Sequence, residues 1–96
     1  MTIYKYALNG AINKVEIPGL HKVLDVQFQG SALCVWVIVD PQAEPETYLF
    51  TLVGTGWDFH DVLGEYIGTV QDYYDLVWHV FYTKWSEDER STVHVS

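Results

Sequence analysis

The stretch LVGTGWDFHD, residues 52–61, concentrates residue types that take part in binding and catalysis. Gly54, Thr55 and Gly56 follow an apolar run, as glycines do in loops that cradle phosphate. A dinucleotide-binding turn needs a further glycine where this chain has Phe59, and no phosphate-binding lysine follows. The glycines therefore predict a turn or bulge at a strand end, or a backbone wall that a ligand can approach closely, with Trp57 beside it.

Histidines give weak support for a metal site. His60 lies between Asp58 and Asp61, but metal ligands must converge in space, so we predict a solvated polar loop and no metal there. His79 lies in the apolar segment VWHVF, which is typical of a partly buried, hydrogen-bonded histidine. If His79 faces a pocket, its ring would bond to a base edge or a sugar hydroxyl.

Nucleophilic catalysis is not supported by any motif. Cys34 lies in the most hydrophobic segment, where a thiol is expected to be inert packing. No serine lies in a G-x-S-x-G pattern. We therefore predict a protein that is not an enzyme and that holds no cofactor.

Aromatic side chains cluster between Trp57 and Trp85, and most of them are expected in the core. Tyr73 and Tyr74 differ, because they fall in a predicted turn flanked by aspartates. A tyrosine pair at a hairpin tip is typical of an interface or of a surface that stacks on a ligand. The alternative is that both rings pack back over the sheet.

Composition indicates one soluble domain. The chain has 96 residues, of which 49% are hydrophobic, so it can form a core without disulfides. Its single cysteine excludes an intramolecular disulfide and suggests a reducing compartment such as a bacterial cytoplasm. No apolar run is long enough to span a membrane, and the first ten residues have no signal-peptide core. We expect a cytoplasmic protein with no membrane partner.

The charge balance is strongly acidic. Thirteen carboxylates face five Lys and Arg residues, giving a formal net charge of −8. Binding to duplex DNA or RNA depends on cationic side chains, so direct nucleic-acid binding is not expected. The acidity either keeps the protein soluble or faces a basic partner.

Alternation with a period of two predicts strands along most of the chain. The segments are TIYKY, KVEI, KVLDVQF, LCVWVIVD, TYLFTLVG, EYIGTVQ and LVWHVFYT. The third and fourth are joined by Gln29-Gly30-Ser31 and predict a β-hairpin. LCVWVIVD is apolar on both faces, as a central strand buried on both sides would be. DFHDVLG is compatible with one helical turn, and TVHV with a short edge strand.

The fold class that follows is mainly β: a small antiparallel sandwich or barrel-like sheet of six to seven strands, with at most one short helix. We assign residues 1–85 to a single β-rich domain and residues 86–96 to an acidic, polar tail. Exposed edges of such sheets are often covered by a second copy, so a homo-oligomer is one expectation.

Six segments in this order carry a family resemblance: IYKY, VQFQ, LCVWVIVD, FTLVGTGW, YIGTVQ and LVWHVF. The chain resembles a family of small proteins of unknown function, found largely in bacteriophage and prophage genomes. The resemblance runs from Ile3 to Phe81. Family members often continue GTG with a proline-containing loop, where this chain reads WDFHDVLGE. The resemblance implies phage origin and a shared fold, and it carries no chemistry.

Two functions remain open beside a third, a structural or regulatory phage protein with no defence role. The first is a counter-defence protein that sequesters a small nucleotide-derived immune signal, with aromatic rings stacked on adenine and lysines offsetting the acidity. Its candidate ligand-binding residues are Gly54, Thr55, Gly56, Trp57, Tyr73, Tyr74 and His79. The second is an acidic inhibitor that imitates nucleic acid and binds a basic host protein. Its carboxylates would be Asp58, Asp61, Glu65, Asp72, Asp75, Glu87, Asp88 and Glu89.

Overall fold

Seven antiparallel strands form two sheets that pack as a sandwich. The computed structural model describes residues 1–59 and 64–85. The strands are β1 (Thr2–Leu8), β2 (Ile12–Pro18), β3 (Leu20–Gln29), β4 (Ala32–Val39), β5 (Pro45–Gly54), β6 (Glu65–Gln71) and β7 (Val77–Lys84). The described residues contain no helix. The mainly-β prediction is therefore confirmed, in its sandwich form. The proposed helical turn falls largely on residues 60–63, and the acidic tail with TVHV on 86–96, all outside the described residues.

The sheets have three and four strands, in the orders β1-β4-β3 and β2-β5-β7-β6. Two hairpins are local: β3 pairs with β4 around Gly30, and β6 pairs with β7 around residues 72–76. Gly30 has φ +64°, a conformation that suits the tight reversal and costs glycine little. The other pairings join distant segments, so that Pro18 at the end of β2 lies opposite Pro45 at the start of β5.

The chain passes between the sheets three times, first through residues 9–11 and then at two neighbouring places. Gly19 separates β2 from β3, and residues 40–44 separate β4 from β5. The Asp40 amide donates to the Gly19 carbonyl at 3.0 Å, so the two crossings are tied together. A Cβ on Gly19 would lie 2.8 Å from Cβ of Asp40. Glycine is therefore needed both for this close approach and for its φ of +49°.

The core lies between the inner faces of the two sheets. The buried side chains alternate along each strand, as expected where one face is packed. They are Leu8, Val26, Leu33, Val35, Val37 and Val39 from the first sheet, and Ile17, Tyr48, Phe50 and Val80 from the second. Gly68 of β6 lies directly against Val26 of β3, which brings the sheets together at that point.

Strand β4 is central in its sheet, as its apolar pattern predicted. One face supplies four fully packed core residues, but the opposite face is less covered: Cys34 is buried, whereas Trp36 and Ile38 are half-buried. The prediction of burial on both faces therefore holds only in part. Because the fold has only two layers, the second face of β4 points outward. On that face Trp36 lies opposite Lys5 of β1.

Candidate functional site

Trp57 forms one wall of a cavity at an end of the sandwich, and Gly54 lies beneath its ring. Gly54 is the last residue of β5, and the chain turns back so that the Trp57 amide donates to the Gly54 carbonyl at 3.0 Å. The Trp57 ring then lies flat against the glycine: a Cβ at position 54 would be 2.8 Å from ring atom Cε2. The absent side chain of Gly54 is what allows this indole to pack there.

Trp78 of β7 completes the aromatic wall. It lies opposite Gly54 in the β5–β7 register, so its ring meets that of Trp57 across the strand pair. The two ring centroids are 5.1 Å apart and the ring planes make an angle of 89°. This edge-to-face arrangement is a favourable one for indoles. Trp57 remains 52% exposed, so part of its ring is free to contact a ligand.

This cavity, called the tryptophan cavity below, has a volume of about 380 Å³ and lies where the loops of both sheets meet. Its large apolar lining residues are Leu8, Phe28, Leu33, Leu52, Trp57 and Trp78. Asn9, Ser31 and Asp72 contribute polar groups. Among the described residues that line it, Asp72 is the one charged group, and none is Lys, Arg or His. The size, apolar lining and few polar groups are typical of a small-molecule site.

Asp72 holds the hairpin tip and the cavity together. Its Oδ1 accepts hydrogen bonds from the amides of Tyr74 at 2.8 Å and Leu76 at 3.0 Å. Its Oδ2 accepts one from Nε1 of Trp78 at 3.0 Å. The Trp78 bond lowers the pKa of this carboxyl group below its usual value. Burial opposes the Trp78 bond in part, and the Leu76 and Tyr74 amides lower the pKa further. Asp72 is therefore ionised at neutral pH.

Tyr73 and Tyr74 lie at the tip of the β6–β7 hairpin and point into solvent, 91% and 80% exposed. Their rings contact each other edge to face, with centroids 5.7 Å apart. They do not line the tryptophan cavity. The turn beneath them is well ordered by hydrogen bonds: the Asp75 amide donates to the Asp72 carbonyl, and Gln71 Nε2 donates to Asp75 Oδ1. The two rings thus project from a turn that hydrogen bonds hold in place.

His79 faces away from the cavity. It follows Trp78 in β7, so its side chain lies on the outer face of the four-stranded sheet. Nε2 lies 2.8 Å from Oγ1 of Thr55, and Nδ1 lies 3.0 Å from Oγ1 of Thr69. The Tyr66 hydroxyl extends the chain of bonds to Thr69 at 2.6 Å. His79 is the half-buried, hydrogen-bonded histidine that one interpretation predicted.

Two amides in and beside the GTG turn are already engaged. The Thr55 amide donates to the Val77 carbonyl at 3.2 Å, and that of Trp57 to Gly54. Gly56 has φ +89°, so it supplies the turn that returns Trp57 to the sheet. Of the candidate residues, Trp57 thus lines the cavity and Gly54 supports its ring, while Tyr73, Tyr74 and His79 lie elsewhere.

The lysines expected to offset the acidity also lie away from the cavity. Lys5 donates to Gln29 at 2.6 Å, and Lys84 pairs with Glu46 at 3.1 Å. Lys14 lies 3.9 Å above the ring of Trp85, a cation–π contact. A phosphate group at the tryptophan cavity would therefore meet no cation among its described lining residues.

Residues 1–59 and 64–85 contain no group of three His, Cys, Asp or Glu side chains able to hold a metal ion. Of the DFHD segment, His60 and Asp61 lie outside those residues. In the same part of the chain no helix is long and apolar enough to cross a membrane.

The chain belongs to a family described as "Domain of unknown function (DUF7352)", which matches residues 1–91. This confirms membership of a family of unknown function that covers nearly the whole chain. No curated protein and no solved structure matches the chain significantly.

Proposed function

We propose that this chain is a non-enzymatic binding protein that captures a small nucleotide-derived ligand by its base in the tryptophan cavity. The observation that carries the proposal is the perpendicular Trp57–Trp78 pair at the mouth of a 380 Å³ apolar cavity. The half-exposed Trp57 ring offers a face on which a flat heterocycle stacks, and base–aromatic stacking contributes about 1–3 kcal/mol per base.

The lining chemistry supports binding in preference to catalysis. Asp72 is the one titratable group among the described lining residues. Its lowered pKa keeps it ionised, whereas a general acid or base works best with a pKa near the pH of the reaction. The Thr55–His79 pair lies on the opposite face of the sheet, away from the indoles.

Charge determines which part of such a ligand enters the cavity. The cavity offers one carboxylate and, among its described lining residues, no cation, so the base enters and the phosphates stay in solvent. Binding of this kind recognises the base and leaves the phosphates in solvent. Together with the resemblance to phage proteins, this supports a counter-defence role in the cytoplasm of an infected bacterium, where the protein would lower the concentration of a nucleotide immune signal.

Binding is tested by titrating purified protein with cyclic dinucleotides and cyclic ADP-ribose isomers, following tryptophan fluorescence and ligand depletion by equilibrium dialysis. We expect saturable binding by the wild type, loss of binding in Trp57→Ala, and no change in Trp36→Phe. Trp36 is the matched control, because it lies half-buried on the outer face of the other sheet. Absence of depletion by the wild-type protein across this panel would overturn the proposal.

A second function, an acidic inhibitor of a basic host protein, is favoured by the hairpin tip. Tyr73 and Tyr74 form an exposed aromatic pair beside Asp75, and Leu76 and Trp57 are also exposed. Exposed aromatics on a braced turn suit the centre of a protein interface. The test is a pull-down from host lysate at low and high salt with wild type and a Tyr73→Ser, Tyr74→Ser variant. A salt-sensitive basic protein lost in the variant supports this function, and identical captures argue against it.

A further inference from the structure

Hydrogen bonds from the described residues leave one acceptor position of the Asp72 carboxylate for a ligand. An ionised carboxylate can accept about four hydrogen bonds, two at each oxygen. Oδ1 already accepts two, from the amides of Tyr74 and Leu76. Oδ2 accepts one, from the Trp78 indole. The remaining position is therefore on the oxygen that touches the aromatic wall.

This oxygen lies at the cavity, because Asp72 and Trp78 are both lining residues and the hydrogen bond joins them. The Trp78 bond also orients the carboxylate, so the free position is fixed in relation to the two indoles. A group filling it must be a donor, since an ionised carboxylate only accepts hydrogen bonds. An unprotonated ring nitrogen or a carbonyl at the same place would be repelled.

We propose that the tryptophan cavity selects heteroaromatic rings that carry an amino group, with the amino N–H donating to Oδ2 of Asp72. This inference rests on the proposed function and names the chemical feature that the ligand's base must have. An adenine-type base meets it, and the same bicyclic ring without the amino group does not. Hydrogen bonds to charged groups are among the stronger ones, so the amino group should raise affinity about tenfold where water competes for the carboxylate.

Adenosine and purine riboside are the probes, because they share ring and ribose and differ by the amino group. Binding is followed by NMR through the indole N–H cross-peaks, assigned with single Trp→Phe variants. We expect adenosine to shift the Trp57 and Trp78 signals and to bind about ten times more tightly than purine riboside. The Trp36 signal serves as the internal reference.

Asp72→Asn tests the role of the carboxylate. Asparagine can keep one oxygen for the Tyr74 and Leu76 amides but replaces the other acceptor by an NH₂ donor. We expect the preference for adenosine to disappear in this variant. Asp75→Asn is the matched control: it removes a carboxylate from the same turn, outside the cavity lining, at φ +64°, which asparagine tolerates. It should retain the tenfold preference.

The outcomes separate this inference from the proposed function. Equal binding of both nucleosides by the wild type overturns the inference and leaves base binding in place. A preference that survives in Asp72→Asn also overturns it. If neither nucleoside nor the cyclic nucleotides bind, both fail. Because the comparison of the two nucleosides uses the wild-type protein alone, the inference stays falsifiable even if the Asp72 variant does not fold.

Discussion

The indole nitrogen of Trp78 donates to Oδ2 of Asp72 at 3.0 Å, and this bond links the inner face of β7 to the hairpin tip that precedes it. The same carboxylate closes the turn through two backbone amides. One side chain therefore orders the tyrosine tip, orients an indole of the cavity and supplies the cavity's charge.

Acid should loosen this arrangement. The pKa of Asp72 is lowered in the folded protein, first by the Trp78 bond, so its contribution to stability is present above the unfolded value of 3.8 and is lost as pH falls through the folded value. We predict that the free energy of unfolding declines below about pH 4 less steeply in Asp72→Asn than in the wild type. Urea denaturation at pH 3 and pH 6 measures this; equal pH dependence of the two proteins would contradict it.

Alkaline pH should act through Tyr82. Burial, followed by its hydrogen bond to Glu65, raises the pKa of Tyr82 from 10.0 to about 12. The unfolded chain then releases the proton first, so this contribution is complete below pH 10 and is lost as pH rises toward 12. We predict that Tyr82→Phe loses less stability than the wild type between pH 9 and pH 11, measured by denaturation. Absorbance titration of the tyrosines is the independent check: one late-titrating group should be missing from Tyr82→Phe, while Tyr6 and Tyr48, whose pKa values burial also raises, remain.

Two glycine substitutions should have opposite consequences. In Gly68→Ala the new Cβ would lie 2.6 Å from Cγ1 of Val26, a core atom of the facing sheet, so the layers must separate. We predict destabilisation by about 1–3 kcal/mol. In Gly54→Ala the obstructing atoms belong to the half-exposed Trp57, which can swing out. That variant should keep its stability within about 1 kcal/mol but lose ligand binding. Thermal denaturation and ligand titration of both variants separate the effects; binding retained by Gly54→Ala would contradict the assignment of this wall.

Truncating a core aromatic should cost far more stability than truncating an aromatic at the hairpin tip. Phe50 is fully buried, stacked on Tyr82 with centroids 5.6 Å apart, and Phe50→Ala should cost about 3–5 kcal/mol. Tyr73 is 91% exposed, so Tyr73→Ala should change stability by less than about 0.5 kcal/mol. Denaturant unfolding of the two variants measures the contrast. A large loss in Tyr73→Ala would show that the tip packs on the fold.

The strands and both local hairpins could be predicted from the sequence, because alternation and turn residues are local signals. In β7, however, both faces are apolar: Trp78 and Val80 share one face, and His79 and Phe81 the other. Alternation with a period of two shows which residues share a face but does not show which face is buried. The structure turns Trp78 inward to the cavity and His79 outward to Thr55 and Thr69.

The position of Trp57 was only partly predictable. The sequence placed a tryptophan after a strand-ending glycine, but the partner of that glycine is on β7, more than twenty residues later. The role of Asp72 depends on two turn amides and one indole that meet only after β6 and β7 have paired. Such long-range geometry leaves no local pattern in a single sequence.

The order of the strands also has a consequence for synthesis on the ribosome. The three-stranded sheet is complete once Val39 has emerged, since β1, β3 and β4 all precede that residue. β2 emerges early but belongs to the other sheet, and must wait for β5, which begins at Pro45. Pairings between distant segments form slowly because a long loop must close first. During translation β2 is thus an unpaired strand beside a finished sheet. The tryptophan cavity can form only after β7 has been made.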